Sequence, residues 1–497
     1  MVIKRIKEYI ESTKTNMKYL YDSLLEYQQT NAYPFHMPGH KRRGCEFVNP
    51  FLIDITEIDQ FDNLHHAEGI LKEAQERAGK LYGSEETHFL VNGSTCGILS
   101  AISACTNKGG KILMARNCHK AAYHGALLGD LEIVYVYPCP ERHFGINGGI
   151  DPEQVRECLE EDGEIQAVLV TSPTFDGVVS DVGEIARIAH VRGVPLIVDE
   201  AHGAHFGFHP YFPVSSVEQG ADLVIHSLHK TLPSFTQTAL LHVNGRLVDR
   251  KKLDLYLGIY QTSSPSYVLM AGMDECMRRI DREGKQLFSE FAKRLDLFYE
   301  RVLQLKRIKV AGKWLIGEAQ INDFDPSKLI LSACQLGMDG NMLQQRLRRD
   351  YHLELEMAAG GYALALTSVM DSEEGLNRLW QALLDLDRGP GGQSSQRGDM
   401  GVTADAKSVW DDTVASNTCV CRISQALEAE KERIPLKESA GRISGEFLYL
   451  YPPGIPLLVP GERIETQLIE RIEQYKSRGF AVQGPEDYTS TYIMILG

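Results

Sequence analysis

Ser227-Leu228-His229-Lys230-Thr231 begins at the last residue of an apolar run, 221–227, that predicts a buried strand. Asp199 follows the preceding apolar run, 195–198, which predicts a second buried strand. A lysine at the end of a buried strand can join covalently to the aldehyde of pyridoxal phosphate, and an aspartate at another strand end can keep the pyridine nitrogen protonated. The two residues therefore predict a pyridoxal phosphate site, in which Lys230 binds the cofactor and Asp199 tunes it.

Seven short apolar runs surround this stretch and alternate with segments of helical pattern. They lie at 88–91, 111–114, 132–136, 167–170, 195–198, 223–226 and 238–242. Strands this uniformly apolar are buried on both faces, and connections long enough for crossover helices make them mostly parallel. The pattern predicts an α/β fold with a doubly wound, mostly parallel seven-stranded sheet. Ligands of such sheets bind at the carboxyl ends of the strands.

The rest of the chain divides into flanking segments. Residues 3–28 have near-helical apolar spacing, and we expect 1–44 to form an N-terminal helix and arm. The large domain is expected over 45–270 and a smaller α+β domain over 271–388. A stretch rich in Gly and Ser predicts a linker over 389–412, followed by a C-terminal domain over 413–497.

Composition limits the possible partners and the compartment. The 497 residues include 52 Lys or Arg and 67 Asp or Glu, for a formal charge of −15, and no long basic run is present to bind a nucleic acid backbone. The ten cysteines form no C-x-x-C pair, which is typical of a reducing compartment. No apolar run is long enough to cross a membrane, which takes about 18 residues. We therefore expect a cytoplasmic protein without nucleic acid or membrane partners.

A second motif predicts where the cofactor phosphate binds. Asn92-Gly93-Ser94-Thr95-Cys96-Gly97 follows the run ending at Val91 and precedes an apolar helical segment. Backbone amides at a helix N-terminus attract anions, and small hydroxyl side chains add further donors. We expect Ser94 and Thr95 to hold the phosphate.

Two histidine segments need separate interpretations. His119 follows the run 111–114, so its flat ring is expected at the same sheet edge, where it can stack on the pyridine ring. His202, His205 and His209 have a spacing that suits zinc, but no cysteine or carboxylate set completes such a site. We therefore expect no metal.

Five motifs in order carry a family resemblance. They are Pro38-Gly39-His40-Lys41, Asn92-Gly93-Ser94-Thr95, Arg116-Asn117-Cys118-His119-Lys120, Asp199-Glu200-Ala201-His202-Gly203 and Ser227-Leu228-His229-Lys230. Together they resemble the ornithine/lysine/arginine decarboxylase family of pyridoxal phosphate fold type I, in its short bacterial form. The resemblance is strong over about 30–270, and 446–462 is similar to the C-terminal decarboxylase domain of the family.

The resemblance implies a role for each matching residue. Lys230 would be the Schiff-base lysine, Asp199 the partner of the pyridinium nitrogen and His119 the stacking residue. His202 would approach the phenolic oxygen of the cofactor, and the phosphate would be contacted by Ser94, Thr95, Ser227 and His229. The turn reads Gly-Ser-Thr-Cys where several relatives have Gly-Thr-Ser, which leaves Cys96 without an assigned contact.

The implied activity is decarboxylation of arginine, lysine or ornithine to agmatine, cadaverine or putrescine in polyamine biosynthesis, by a homodimer or higher homo-oligomer. The motifs leave open which amino acid is used and whether His119, Lys230 or another acid supplies the proton. A carboxylate should bind the distal cation of the substrate, and the candidates are Asp59, Asp62, Glu68 and Glu462. Alternatives are an aminotransferase, another fold type I lyase, suggested by Cys96 or Cys118, and a regulatory cofactor-binding protein without turnover.

Overall fold

A computed structural model describes residues 19–43, 47–389, 417–450, 454–480 and 482–497. The N-terminal and large parts contain the helices α1 Leu20–Gln28, α2 Ile70–Tyr82, α3 Gly93–Cys105, α4 Lys120–Leu128, α5 Pro152–Glu161, α6 Val182–Val191, α7 Leu228–Thr231 and α8 Arg250–Tyr260. The strands there are β1 Tyr33–Phe35, β2 Glu86–Leu90, β3 Lys111–Ala115, β4 Glu132–Val136, β5 Pro138–Glu141, β6 Ile146–Ile150, β7 Ile165–Thr171, β8 Val178–Val179, β9 Leu196–Asp199, β10 Leu223–His226 and β11 Ala239–Val243.

The central sheet has the strand order β2-β11-β10-β9-β7-β3-β4. Strand β11 is antiparallel to both of its neighbours, and the pairs from β10 to β4 are parallel. The predicted α/β fold with a mostly parallel sheet of seven strands is confirmed. Its core strands are buried on both faces because helices cover the sheet. All strands except β11 therefore bring their carboxyl ends to one edge.

The following part combines helices with a smaller sheet. Its helices are α9 Tyr267–Val302, α10 Gly340–Tyr351 and α11 Glu373–Arg388, and its strands are β12 Lys309–Val310, β13 Asp323–Phe324, β14 Lys328–Ser332, β15 Leu353–Leu355, β16 Met357–Ala358 and β17 Ala363–Leu366. The order β12-β14-β17-β16 forms a four-stranded sheet. Ser266, Asp339 and Ser372 begin the three helices by accepting hydrogen bonds from first-turn amides. This arrangement matches the expected α+β character.

The C-terminal part has its own small core around Leu458 and Ile472. It contains α12 Ile423–Glu428, β18 Lys431–Pro435, β19 Leu448–Leu450, β20 Pro456–Leu458, α13 Thr466–Ser477, β21 Val482–Gln483 and β22 Tyr492–Leu496. Strands β20, β19 and β21 form one sheet, and β18 pairs with β22.

Several predicted segments fall partly or wholly outside the described residues. Of the helix predicted over 3–28, the described portion is α1, and of the linker predicted over 389–412, the described portion is residue 389. The domain boundaries given above stay predictions. Within the described ranges, no helix combines the length and apolar character needed to span a bilayer.

Candidate active site

The carboxyl ends of the central strands enclose a cavity of about 280 Å³. Residues that follow β2, β3, β9 and β10 line it, and the smaller sheet and C-terminal part add further walls. Seven of the eight predicted cofactor residues lie on this cavity, namely Ser94, Thr95, His119, Asp199, His202, His229 and Lys230. These residues follow or end strands whose carboxyl ends share one edge, so the fold brings together groups that are far apart in the sequence.

Lys230 lies in α7, the short helix that begins directly after β10. Its Nζ lies 2.9 Å from Nε2 of His202. Burial lowers the pKa of Lys230, while the carboxylate of Asp199 opposes that effect. A lowered pKa increases the fraction of uncharged amine, which is the form that attacks an aldehyde.

Asp199 ends β9 and is buried. Its Oδ1 accepts a hydrogen bond from the backbone N–H of Ala201 at 3.1 Å. Burial raises the pKa of Asp199, and the nearby Lys230 counteracts the rise. A cationic ring nitrogen beside the carboxylate would favour its ionised form further, because opposite charges stabilise each other in a poorly hydrated site.

His119 occupies the N-cap position of α4. Its Nδ1 accepts a hydrogen bond from the backbone N–H of Ala121 at 3.2 Å, which leaves the ring proton on Nε2. Burial, together with the charge of Lys230, lowers the pKa of His119 to about 3. The ring is therefore neutral at physiological pH, and its orientation is fixed by the helix terminus.

The turn after β2 places a helix N-terminus at the cavity. Gly93 begins α3 with a φ of 73°, and Ser94 and Thr95 form the first turn. The Asn92 side chain caps none of the amides of that turn, so they remain available to a ligand. This is the arrangement expected for a bound phosphate.

Ser227 and His229 differ in how they fit a phosphate. Ser227 does not line the cavity, but its Oγ is buried and has no hydrogen-bond partner among the described residues. His229 Nδ1 bonds to the Thr238 carbonyl at 3.0 Å, and burial lowers the pKa of His229 to about 4. A contact from Nε2 to phosphate requires a second proton, which the phosphate dianion would favour.

The predicted distal acids lie away from the cavity of their own chain. Glu462 is buried, with Oε2 3.1 Å from an Arg116 nitrogen and 3.0 Å from Asn417 Nδ2. Asp62 accepts hydrogen bonds from four backbone amides, which lowers its pKa although burial opposes the effect. Asp59 and Glu68 are exposed.

Sequence reasoning missed Glu356, a half-buried acid on the cavity wall between β15 and β16. Its Oε2 accepts a hydrogen bond from the Met37 backbone at 2.8 Å. The C-terminal part contributes Ile455, which also lines the cavity. The alternation in Leu353-Glu354-Leu355-Glu356 indicates a strand, but no local signal connects that strand with the site.

The three histidines considered for zinc have separate partners. His202 faces Lys230, His205 bonds to Asp325 at 3.1 Å, and His209 accepts from the Tyr211 backbone at 3.2 Å. A shared metal would require their nitrogens to converge on one point.

Solved structures with the same fold are enzymes of pyridoxal phosphate fold type I. A lysine decarboxylase from Francisella novicida gives a TM-score of 0.73 at 19% identity, covering 99% of this chain and 83% of its own. Lysine decarboxylase A from Pseudomonas aeruginosa gives 0.70 at 21% identity, covering 96% and 80%. An alanine–glyoxylate aminotransferase from Nostoc gives 0.51 at 16% identity, covering 64% and 86%. These likenesses define the fold as fold type I.

Sequence comparison defines the family. The model of the Orn/Lys/Arg decarboxylase major domain matches residues 19–345, and that of the family's C-terminal domain matches 416–478. An arginine decarboxylase from Bacillus subtilis is 33% identical over 485 residues, which cover 96% of this chain and 97% of the relative. A Bacillus anthracis arginine decarboxylase is 32% identical with the same coverage. The chain belongs to the Orn/Lys/Arg decarboxylase family, and is a carboxy-lyase.

Proposed function

We propose that the protein is a pyridoxal phosphate-dependent decarboxylase of a basic amino acid, with arginine as the first substrate to test. The observation that carries the proposal is the meeting of Lys230, Asp199 and Glu356 in one cavity. The names of the relatives that match nearly the whole chain support arginine, and more distant relatives are named lysine and ornithine decarboxylases.

The residues present fit the cofactor. Uncapped amides of α3 and the unpartnered Ser227 Oγ suit the phosphate, and Asp199 suits the ring nitrogen. His202 Nδ1 and Asn117 Oδ1 are buried and have no hydrogen-bond partner in the described part of the chain, so they can bond to a ligand. Pyridoxal phosphate, when bound, supplies a sink for the electron pair that remains when carbon dioxide leaves.

The side chains would divide the remaining tasks. Lys230 provides the uncharged amine that binds the aldehyde, and Asp199 holds the proton on the ring nitrogen. His119, neutral and fixed by α4, offers a flat face to the ring. Lys230 Nζ is the candidate group for delivering the proton that replaces carbon dioxide, because a neutral His119 has no readily released proton at Nε2.

Two alternatives receive less support from the cavity. An aminotransferase commonly holds the substrate α-carboxylate with an arginine, but no arginine lines the cavity among the described residues. A sulfur-transfer lyase would need an accessible thiolate. Burial raises the pKa of both Cys96 and Cys118 to about 12, and neither thiol lines the cavity.

The test is product analysis of the purified, cofactor-loaded protein. Arginine, lysine and ornithine are each supplied, and agmatine, cadaverine, putrescine, carbon dioxide and keto acids are quantified. We expect carbon dioxide and the matching amine in equal amounts, with the highest kcat/KM for arginine. Keto acid formation would indicate transamination, and cofactor binding without any product would indicate a regulatory protein.

Glu356 is proposed to attract the distal cation of the substrate. The Glu356→Gln variant should raise KM for the dibasic substrate by roughly 10- to 100-fold, because a charge-assisted hydrogen bond contributes about 1.5–3 kcal/mol. The cofactor absorbance should stay unchanged. Steady-state kinetics with arginine and a spectrum of each variant provide the measurement.

The four acids predicted from sequence serve as controls for Glu356→Gln. Asp59→Asn, Asp62→Asn and Glu68→Gln should leave KM unchanged, and Glu462→Gln should lower stability because it leaves the buried Arg116 without its charged partner. If Glu356→Gln has a normal KM while one of the four variants raises it, the distal site lies at that acid.

We infer further that a second copy of the chain covers an apolar patch formed by exposed residues from 51 to the first residue of α2. Its members are Phe51, Leu52, Ile58, Phe61 and Ile70, all of them exposed. Large apolar side chains left exposed within one short stretch of chain are typical of an interface, and the family resemblance implies a homodimer. Phe51→Asp with Leu52→Asp should give a monomer in analytical ultracentrifugation. Tyr488 is also largely exposed, and Tyr488→Asp should leave the oligomer intact. A dimer in both variants would refute this patch as the interface.

A cytoplasmic location and a role in polyamine formation belong to the same proposal. The nine described cysteines are free thiols, which suits a reducing compartment. Agmatine and putrescine, the products expected from arginine and ornithine, are amines of the kind that polyamine synthesis consumes.

A further inference from the structure

A buried charged cluster joins β14 of the smaller sheet to the loop after β9. The side chains of Asp325 and Lys328 are fully buried, and Lys328 Nζ lies 3.1 Å from Asp325 Oδ2. The other carboxylate oxygen lies 3.1 Å from His205 Nε2 and accepts the Ser327 backbone N–H at 2.9 Å. None of these residues lines the active-site cavity.

The cluster nevertheless contacts the residue that faces the catalytic lysine. Lys328 Nζ donates to the main-chain carbonyl of His202 at 3.4 Å, while the His202 ring lies 2.9 Å from Lys230 Nζ. Gly177 makes room for the lysine stem, since a Cβ at that position would lie 2.9 Å from Lys328 Cγ. His202 is therefore the one residue between the buried Asp325–Lys328 pair and the Lys230 amine.

A gain in stability alone would be a weak explanation for the buried Asp325–Lys328 pair. Removing two charges from water costs free energy, and an apolar pair of similar volume often stabilises a protein as well or better. Lys328, in contrast, acts electrostatically on both His202 and Lys230. Its position indicates a role in the site.

We propose that Lys328, balanced by Asp325, is a positioning residue that holds the His202 loop against Lys230 and sets the charge balance at the Lys230 amine. The inference rests on the proposed function, since it concerns the cofactor bound to that amine. Burial, with further lowering by Lys230 and then Lys328, holds the pKa of His202 well below its usual range. A neutral His202 can accept a hydrogen bond at Nε2 from Lys230.

Several other charged or titratable groups act on Lys230 and His202. None of them is changed in the variants used for the test. Asp199 and Glu356 favour the protonated Lys230, and Lys328 disfavours it. His119 and His229 act on His202. Asp325 carries the charge opposite to that of Lys328 and lies 3.1 Å from its Nζ. Removing one charge or the other is therefore expected to change the charge balance at the amine in opposite directions.

The opposite charges of Lys328 and Asp325 allow a direct test. In the cofactor-loaded full chain, the visible absorbance band of the cofactor joined to Lys230 is titrated with pH. Lys328→Met removes a positive charge and should raise the apparent pKa of the band by about 0.5 to 1, while Asp325→Asn should lower it by a similar amount. The neutral double variant should return to within about 0.3 of the parent protein.

Lys41→Met is the matched control. Lys41 is also buried and lies 3.8 Å from a buried carboxylate, Asp371, but its Nζ donates to the carbonyls of Pro34, His36 and Leu366 and does not contact His202. It should lower the thermal unfolding temperature without moving the pKa of the band.

The outcomes separate the inference from the proposed function. Absence of a visible band in the unmodified protein would refute cofactor binding at Lys230. The inference would be overturned if the pKa of the band moved in the same direction in Lys328→Met and Asp325→Asn, or if it moved in neither variant. If Lys328→Met does not fold, Asp325→Asn must still lower the pKa and the double variant must restore it, or the inference fails.

Discussion

The Lys230→Ala variant is expected to lose the visible absorbance of the bound cofactor and nearly all turnover. Among the described residues, Lys230 is the lysine that lines the cavity. Burial lowers its pKa, which favours the uncharged, reactive amine. Removing the amine takes away both the covalent attachment and the candidate proton donor. Spectra, product assays and borohydride reduction followed by peptide mapping provide the measurement.

Lys120→Ala is a suitable control for this variant. Lys120 begins α4 beside His119, but its Nζ lies over the Tyr449 ring, 5.2 Å from the centroid. That variant should keep the absorbance band. A borohydride-stable adduct on a lysine other than Lys230 would show that the attachment site had been assigned to the wrong strand end.

The fold and most of the cavity lining were predictable because both follow from local patterns. Apolar runs identify buried strands, and parallel strands bring the residues after them to one edge. Lys230, Asp199 and His119 each follow such a run or end the strand, so their meeting in one cavity follows from the sheet. The family resemblance added their individual roles.

The distal part of the proposed site could not be predicted in this way. Glu356 reaches the cavity from the smaller sheet, and its position depends on how that sheet packs against the central one. Glu462 was a reasonable candidate as an acid after a proline-rich apolar stretch. It lies instead in a buried ion pair with Arg116, because the C-terminal part packs against the loop after β3. Packing between parts of the chain leaves no periodic signal in the sequence.

The Asp199→Asn variant should bind the cofactor and yet lose at least about 10³-fold in kcat. An amide has nearly the same shape as the carboxylate, so the Ala201 contact and the surrounding strand can persist. It carries no charge, however, and cannot hold the ring nitrogen protonated. Without that proton, the ring accepts the electron pair from the departing carboxyl group poorly. Single-turnover kinetics, together with the absorbance spectrum, separate this loss from weaker binding.

Asp222→Asn provides the control on the same sheet. Asp222 is a buried carboxylate directly before β10, where it bonds to His190 at 2.8 Å and to the Leu196 backbone N–H at 2.8 Å, at the amino end of the strands. Its replacement should lower stability and leave kcat of the folded enzyme within a few-fold of normal. Near-normal kcat in Asp199→Asn with a full complement of cofactor would remove the reason for assigning Asp199 to the ring nitrogen. A comparable loss in both variants would point to damage of the sheet, since only Asp199 lies at the edge that carries Lys230.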